Sequence, residues 1–162
     1  MVEVLNPVLI VIVAIQFRGN MLAFYDENYE VFSSDPLRTV HNGFPGGADD
    51  KLIFIRNNDS SNYYTDLVVS YTNSTSDDYG LQGSTGWAVK FLYGRRQPTE
   101  QEWDNVRAGQ SIALPAIGNT LAADTYTYHP IWVRVYCPGG SAAQIREGQT
   151  IQVFFSEKKV GA

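Results

Sequence analysis

Two stretches of the chain carry an apolar side chain at every second position, and this alternation restricts the fold more than any other feature. Over residues 86–93, Trp87, Val89, Phe91 and Tyr93 stand against Ala88, Lys90 and Leu92. Over residues 129–137, Ile131, Val133, Val135 and Cys137 form the same every-second-residue set. A period of two sends one set to each face of a strand, so both segments predict strands with one buried face. Residues 52–56, 64–71 (Leu67, Val69 and Tyr71 on one face), 111–114 and 150–155 (Ile151, Val153 and Phe155 inward) continue the series. The turn formers Asn57-Asn58-Asp59-Ser60 and Pro138-Gly139-Gly140 punctuate it. Residues 22–25 and 30–32 add two short edge-like strands.

One helical signal interrupts the strands. In Pro98-Thr99-Glu100-Gln101-Glu102-Trp103, Thr99 can accept from the first free backbone N–H groups while Glu102, three positions on, reaches back. The pattern predicts a helix over 100–107, stopped by Gly109, with Trp103 and Val106 facing the domain. The connection from Leu114 to Ile131 is too long for a hairpin and fits a strand that crosses between sheets. The fold class expected is therefore all-β: an antiparallel β-sandwich of about eight strands with one short helix and an N-terminal extension. Ten Tyr, eight Phe and three Trp in 162 residues suit half-buried pleated surfaces, and a hydrophobic share of 44% excludes global disorder.

The expected organisation has three parts: a hydrophobic segment over 1–20, strands and loops over 21–50, and a sandwich domain over 51–162. The apolar run from Val8 to Ile15 is shorter than the ~20 residues of a membrane span, and it lacks the basic start and small-residue cleavage site of a signal peptide. Two readings of it stand open. Translation could begin at Met21, or the run could be an arm laid against a neighbouring subunit.

Composition also bounds the chemistry. A net charge of −5 with Arg95-Arg96 as the basic cluster offers no footprint for a phosphate backbone, so neither nucleic acid nor a membrane is an expected partner. Cys137 stands alone and reads as core, which leaves no intramolecular disulfide and no Cys/His metal spacing. Pairing Cys137 with His41 or His129 as nucleophile and base has no supporting sequence feature. The acidic pairs Asp49-Asp50 and Asp77-Asp78 lack the spacing of a calcium loop. The expectation is a protein that is not an enzyme, with no catalytic residues, no metal and no cofactor. The sequons at Asn58 and Asn73 read as loop polarity.

The series Leu52-Ile53-Phe54-Ile55-Arg56-Asn57-Asn58-Asp59, Tyr64-Thr65-Asp66-Leu67, Gly86-Trp87-Ala88-Val89-Lys90, Ala108-Gly109-Gln110 and Ile131-Trp132-Val133-Arg134-Val135 resembles immunoglobulin-like accessory domains over about residues 51–155. From Met21 onward the chain is similar in style to virion structural proteins of tailed bacteriophages. The paired cysteines of antibody-type domains are missing. The resemblance implies a virion-located module, assembled in the host cytoplasm and present in multiple copies or as a homo-oligomer, that attaches to other capsid or tail proteins. Phe24, Tyr25, Tyr29, Phe32, Phe44 and Trp132 are the candidate contacts, and docking through aromatics predicts little sensitivity to moderate salt. The alternative is a carbohydrate-binding module that stacks sugars on Tyr63, Tyr79, Tyr126, Tyr128 and Trp132.

Overall fold

A computed structural model describes residues 7–14, 22–32, 37–73, 86–118 and 128–159. Nine strands and one helix follow in order: β1 (Pro7–Ala14), β2 (Leu22–Tyr25), β3 (Leu37–Asn42), β4 (Gly47–Asn57), β5 (Asn62–Asn73), β6 (Ala88–Tyr93), α1 (Glu100–Asp104), β7 (Ile112–Leu114), β8 (Tyr128–Cys137) and β9 (Gln144–Lys159). They form a five-stranded sheet in the order β3-β1-β9-β5-β7 and a four-stranded sheet in the order β2-β4-β8-β6. All neighbours are antiparallel except β1 and β9, which run parallel.

The all-β sandwich with one short helix is the architecture that the alternation indicated. Ile53, Ile55, Val89, Phe91, Val133 and Val135 from the four-stranded sheet meet Val8, Ile10, Ile12, Leu67, Val69, Ile151 and Val153 from the other, each at most 2% exposed. Burying a side chain of this kind contributes roughly 1.5–3 kcal/mol, so these two inner faces dominate the stability of the fold. From β3 to β9 every successive strand changes sheet, which is the wrap of a jelly roll. The last two strands lie in opposite sheets, whereas an immunoglobulin domain keeps its last two side by side. Alternation fixes which face of a strand is buried; it carries no information on the strand that lies alongside.

The N-terminal boundaries differ from expectation for a related reason. Residues 7–14 are neither an arm nor a detachable extension: β1 sits between β3 and β9, with Val8, Ile10 and Ile12 wholly buried. Leu9 and Val11 are half-buried on its other face, so the strand reads as an unbroken apolar run, as interior strands do. Residues 21–50 are not separable from 51–162 either, because Leu22, Phe24, Leu37, Thr39 and His41 all point into the same core.

Two connections are tighter than their glycine content indicated. The turn after β3 is closed by Gly46 N–H donating to Asn42 (3.0 Å), and it is sewn to the turn after β8 by Gly140 N–H to Phe44 and Ser141 N–H to Gly43. Gly46 has φ +72°, and a Cβ there would stand 2.5 Å from the Cys137 carbonyl oxygen. Only glycine fits that crossing. Helix α1 ends at Asp104, three residues before expectation, and carries the capping box: Glu102 N–H donates to Thr99 Oγ1 and Thr99 N–H to Glu102 Oε2. Trp103, 1% exposed, anchors it, and Lys90 Nζ donates to the Trp103 carbonyl at 3.0 Å.

Candidate functional site

The outward face of the four-stranded sheet divides into an ionic end and an aromatic end. Register sets Asp50 opposite Arg134, Leu52 opposite Trp132, Phe54 opposite Pro130 and Arg56 opposite Tyr128. At the ionic end, Arg134 donates to Asp50 and to Glu100 of α1, and its guanidinium lies 4.9 Å from the Trp103 ring centroid. Hydrogen bonds from Arg134 hold the Glu100 carboxyl below its ordinary value, and the two carboxylates raise Arg134 further above its own. The helix and its salt bridges cover this end, so it is structural.

The aromatic end is open. Tyr29 stacks on Phe54 with centroids 4.7 Å apart, and Tyr128 meets both rings edge-on at 6.2 and 5.8 Å. Phe54 is therefore only 4% exposed although it faces outward, while Tyr29 remains 52% exposed. The turn after β2 aims Tyr29 at this place. Asp26 Oδ1 accepts from the N–H groups of Asn28 and Glu30, and Tyr29 takes φ +62°. That left-handed conformation costs on the order of 1–2 kcal/mol for a residue with a Cβ, and the stack on Phe54 offsets it.

Two arginines complete the face. Arg95 lies over the Tyr128 ring at 5.1 Å and donates to its hydroxyl. Its backbone is pinned because the Trp132 indole N–H donates to the Arg95 carbonyl at 3.2 Å. Arg56 lies 6.0 Å from the Tyr25 ring centroid, and Asn58 Nδ2 donates to the Tyr25 hydroxyl at 2.7 Å. Two shallow clefts flank Tyr128. One of about 200 Å³ is lined by Tyr25, Tyr29, Phe54, Arg56 and Tyr128, and one of about 280 Å³ by Tyr93, Gly94, Arg95, Tyr128 and Pro130. Enclosed small-molecule sites run roughly 300–1,000 Å³, so the geometry suits contact with a surface better than engulfment of a ligand.

Of the expected contact residues, Tyr25, Tyr29 and Trp132 come together here. Phe24 is 1% exposed and belongs to the core, on the opposite face of β2 from Tyr25; Phe32 packs against that core. Phe44 is 63% exposed, at the tip of the turn after β3. Of the sugar-stacking set, Tyr128 and Trp132 share this face, whereas Tyr63 lies on β5 opposite Lys158 in the other sheet. Tyr79 and Tyr126 lie outside the described residues. Sequence reading passed over Phe54, Arg56 and Arg95. Arg56 is the charged residue that closes the apolar run 52–56, and its outward position opposite Tyr128 comes from strand register.

The groups weighed for chemistry are engaged elsewhere. Cys137 is wholly buried, with its thiol toward the Pro138 carbonyl at 3.6 Å. His41 Nε2 meets Thr39 Oγ1, and His129 Nε2 donates toward the Pro115 and Ala116 carbonyls while Nδ1 faces the Tyr93 hydroxyl. Asp49 accepts from Val40 N–H on one side of β4 and Asp50 holds Arg134 on the other. Asp77 and Asp78 lie outside the described residues. Among the described residues, no group of three His, Cys, Asp or Glu is placed to hold a metal ion, and no helix is long and apolar enough to cross a membrane. No family model, curated protein or solved structure matches the chain.

Proposed function

We propose that the chain is a structural component of a tailed-phage particle, a non-enzymatic module that attaches to the capsid or tail through the aromatic and arginine face of its four-stranded sheet. The observation that carries the reading is the convergence of Tyr25, Tyr29, Phe54, Tyr128, Arg56 and Arg95 on one open face. Tyrosine and arginine are the residue types enriched where protein interfaces bury most of their energy. The jelly-roll wrap is compatible, since viral coat modules use it, but lectins use it too, so the fold alone does not decide.

The face itself favours protein over sugar. A stacked pyranose needs a free ring face, and the Tyr128 ring already has Arg95 over it and is in T-shaped contact with Tyr29 and Phe54. Co-sedimentation with purified phage particles tests the reading. Wild-type protein is expected to pellet with its particle and Tyr29→Ser, a substitution at an exposed position, to weaken that association at least tenfold. Binding to a glycan array lost on Trp132→Ala, with no association to particles, would select the carbohydrate module instead.

A further inference from the structure

We infer that the face around Tyr128 receives an acidic segment of a partner protein, with one carboxylate on Arg56 and one on Arg95 in the two clefts that the tyrosine separates. The inference rests on the docking reading above and specifies the chemistry of what docks.

Arg134 holds Asp50 and Glu100, and Arg96 holds Glu102 at 2.7 Å. Arg56 and Arg95, by contrast, make no ion pair with any described residue. Each instead rests against an aromatic ring, Arg56 on Tyr25 and Arg95 on Tyr128. A guanidinium beside a ring keeps N–H donors that the ring does not use, and those donors can pair with a carboxylate. Arg95 spends one donor on the Tyr128 hydroxyl, and its main chain is fixed by Trp132.

The two arginines come to Tyr128 by folding rather than by sequence. Arg56 is the cross-strand partner of Tyr128, and Arg95 lies over the same ring. Two preset cations with aromatic flanks are thus concentrated on one face of a chain whose net charge is −5. An extended partner segment can lie across Tyr128 and deliver an acidic side chain to each cleft, with its apolar parts against the exposed ring of Tyr29. This also revises the expectation of salt-insensitive docking. Exposed charge contacts weaken as the Debye length falls from about 8 Å at physiological ionic strength to about 3 Å at 1 M.

The test uses the full chain and three probes: a glutamate-rich peptide containing tyrosine, a lysine-rich peptide of equal length, and polygalacturonate, whose carboxylates are carried on sugar. Binding is read by isothermal titration at two salt concentrations, alongside particle co-sedimentation. The acidic peptide is expected to bind, the lysine peptide and polygalacturonate not to bind, and Arg56→Gln/Arg95→Gln to weaken peptide and particle binding at least tenfold. Arg107→Gln, an exposed control, should leave both unchanged. An unaltered particle association of the double variant would overturn the acidic-segment inference and leave docking standing. Arginine-dependent binding of polygalacturonate, or no binding of the acidic peptide, would overturn it as well. Wild-type protein that sediments with no particle would refute the docking reading itself.

Discussion

Arg134 clasps Asp50 across the β4–β8 ladder, its Nε and one terminal nitrogen donating to the two carboxylate oxygens at 2.7 and 2.9 Å with both side chains under a tenth exposed. The pair ties the two central strands of the four-stranded sheet to each other. Through Glu100 and Trp103 it also ties them to α1, the helix that covers this end of the sheet from outside.

Removing one partner of a buried ion pair strands the other charge, a loss of about 3–5 kcal/mol. Arg134→Ala is therefore expected to lower stability to urea by about that amount. Arg134→Met combined with Asp50→Leu, which removes both charges and keeps the volume, should recover most of it. A loss under about 1 kcal/mol for Arg134→Ala would mean that the sheet does not depend on the pair.

Helix α1 allows the contributions of cap and packing to be separated. Losing a threonine N-cap costs about 1 kcal/mol, whereas emptying the site of a buried tryptophan costs about 3–5 kcal/mol. Thr99→Ala is expected to be mild and Trp103→Ala severe, both read by chemical denaturation. Equal losses would show that the capping box, rather than burial of Trp103, holds the helix on the sheet.

How far the sequence reveals this molecule depends on whether each signal is local. The strands around Phe91 and Val133, and the helix at Thr99, were legible because alternation and a capping box lie within a few residues. β9 extends to Gln144, beyond the expected 150–155, because its two ends serve different partners, β1 and β5, and no single alternation spans both. The Gly47–Asp50 segment reads as loop, yet it forms the start of β4 along β8. The site was half legible for the same reason. Tyr25, Tyr29 and Trp132 stand out as aromatics, but Arg56 and Arg95 meet at Tyr128 only through strand register and a turn, and Phe24 differs from Tyr25 only in parity.

A pH dependence follows from His41, which faces the core beside Thr39 at 6% exposure. Burial lowers its pKa below the ordinary 6.5, against the opposing pull of the Asp49 charge and a hydrogen bond at Gly47. The folded protein thus resists a proton that the unfolded chain accepts. Its contribution is complete above about pH 6.5 and is lost as the pH falls toward the depressed folded value, at no more than about 1.4 kcal/mol per pH unit. Denaturation midpoints measured between pH 7.5 and 5 should decline on the acid side, and His41→Gln should flatten that decline. An unchanged slope in the variant would assign the acid sensitivity to other groups.

A chain started at Met21 would lose β1, and with it Val8, Ile10 and Ile12, all wholly buried. At roughly 1.5–3 kcal/mol each, their burial alone amounts to much of the 5–15 kcal/mol by which a typical domain is stable. The loss would also open the ladder between β3 and β9, since β1 is the strand that joins them. β3 would then be left without its sheet partner, exposing Leu37 and His41 on the inner side. The shortened protein is expected to show no cooperative thermal transition and to bind a dye for exposed apolar surface, while the full chain melts in one step. A Met21-initiated protein that melts cooperatively within a few degrees of the full chain would show that β1 is dispensable, and would return residues 7–14 to the role of an arm.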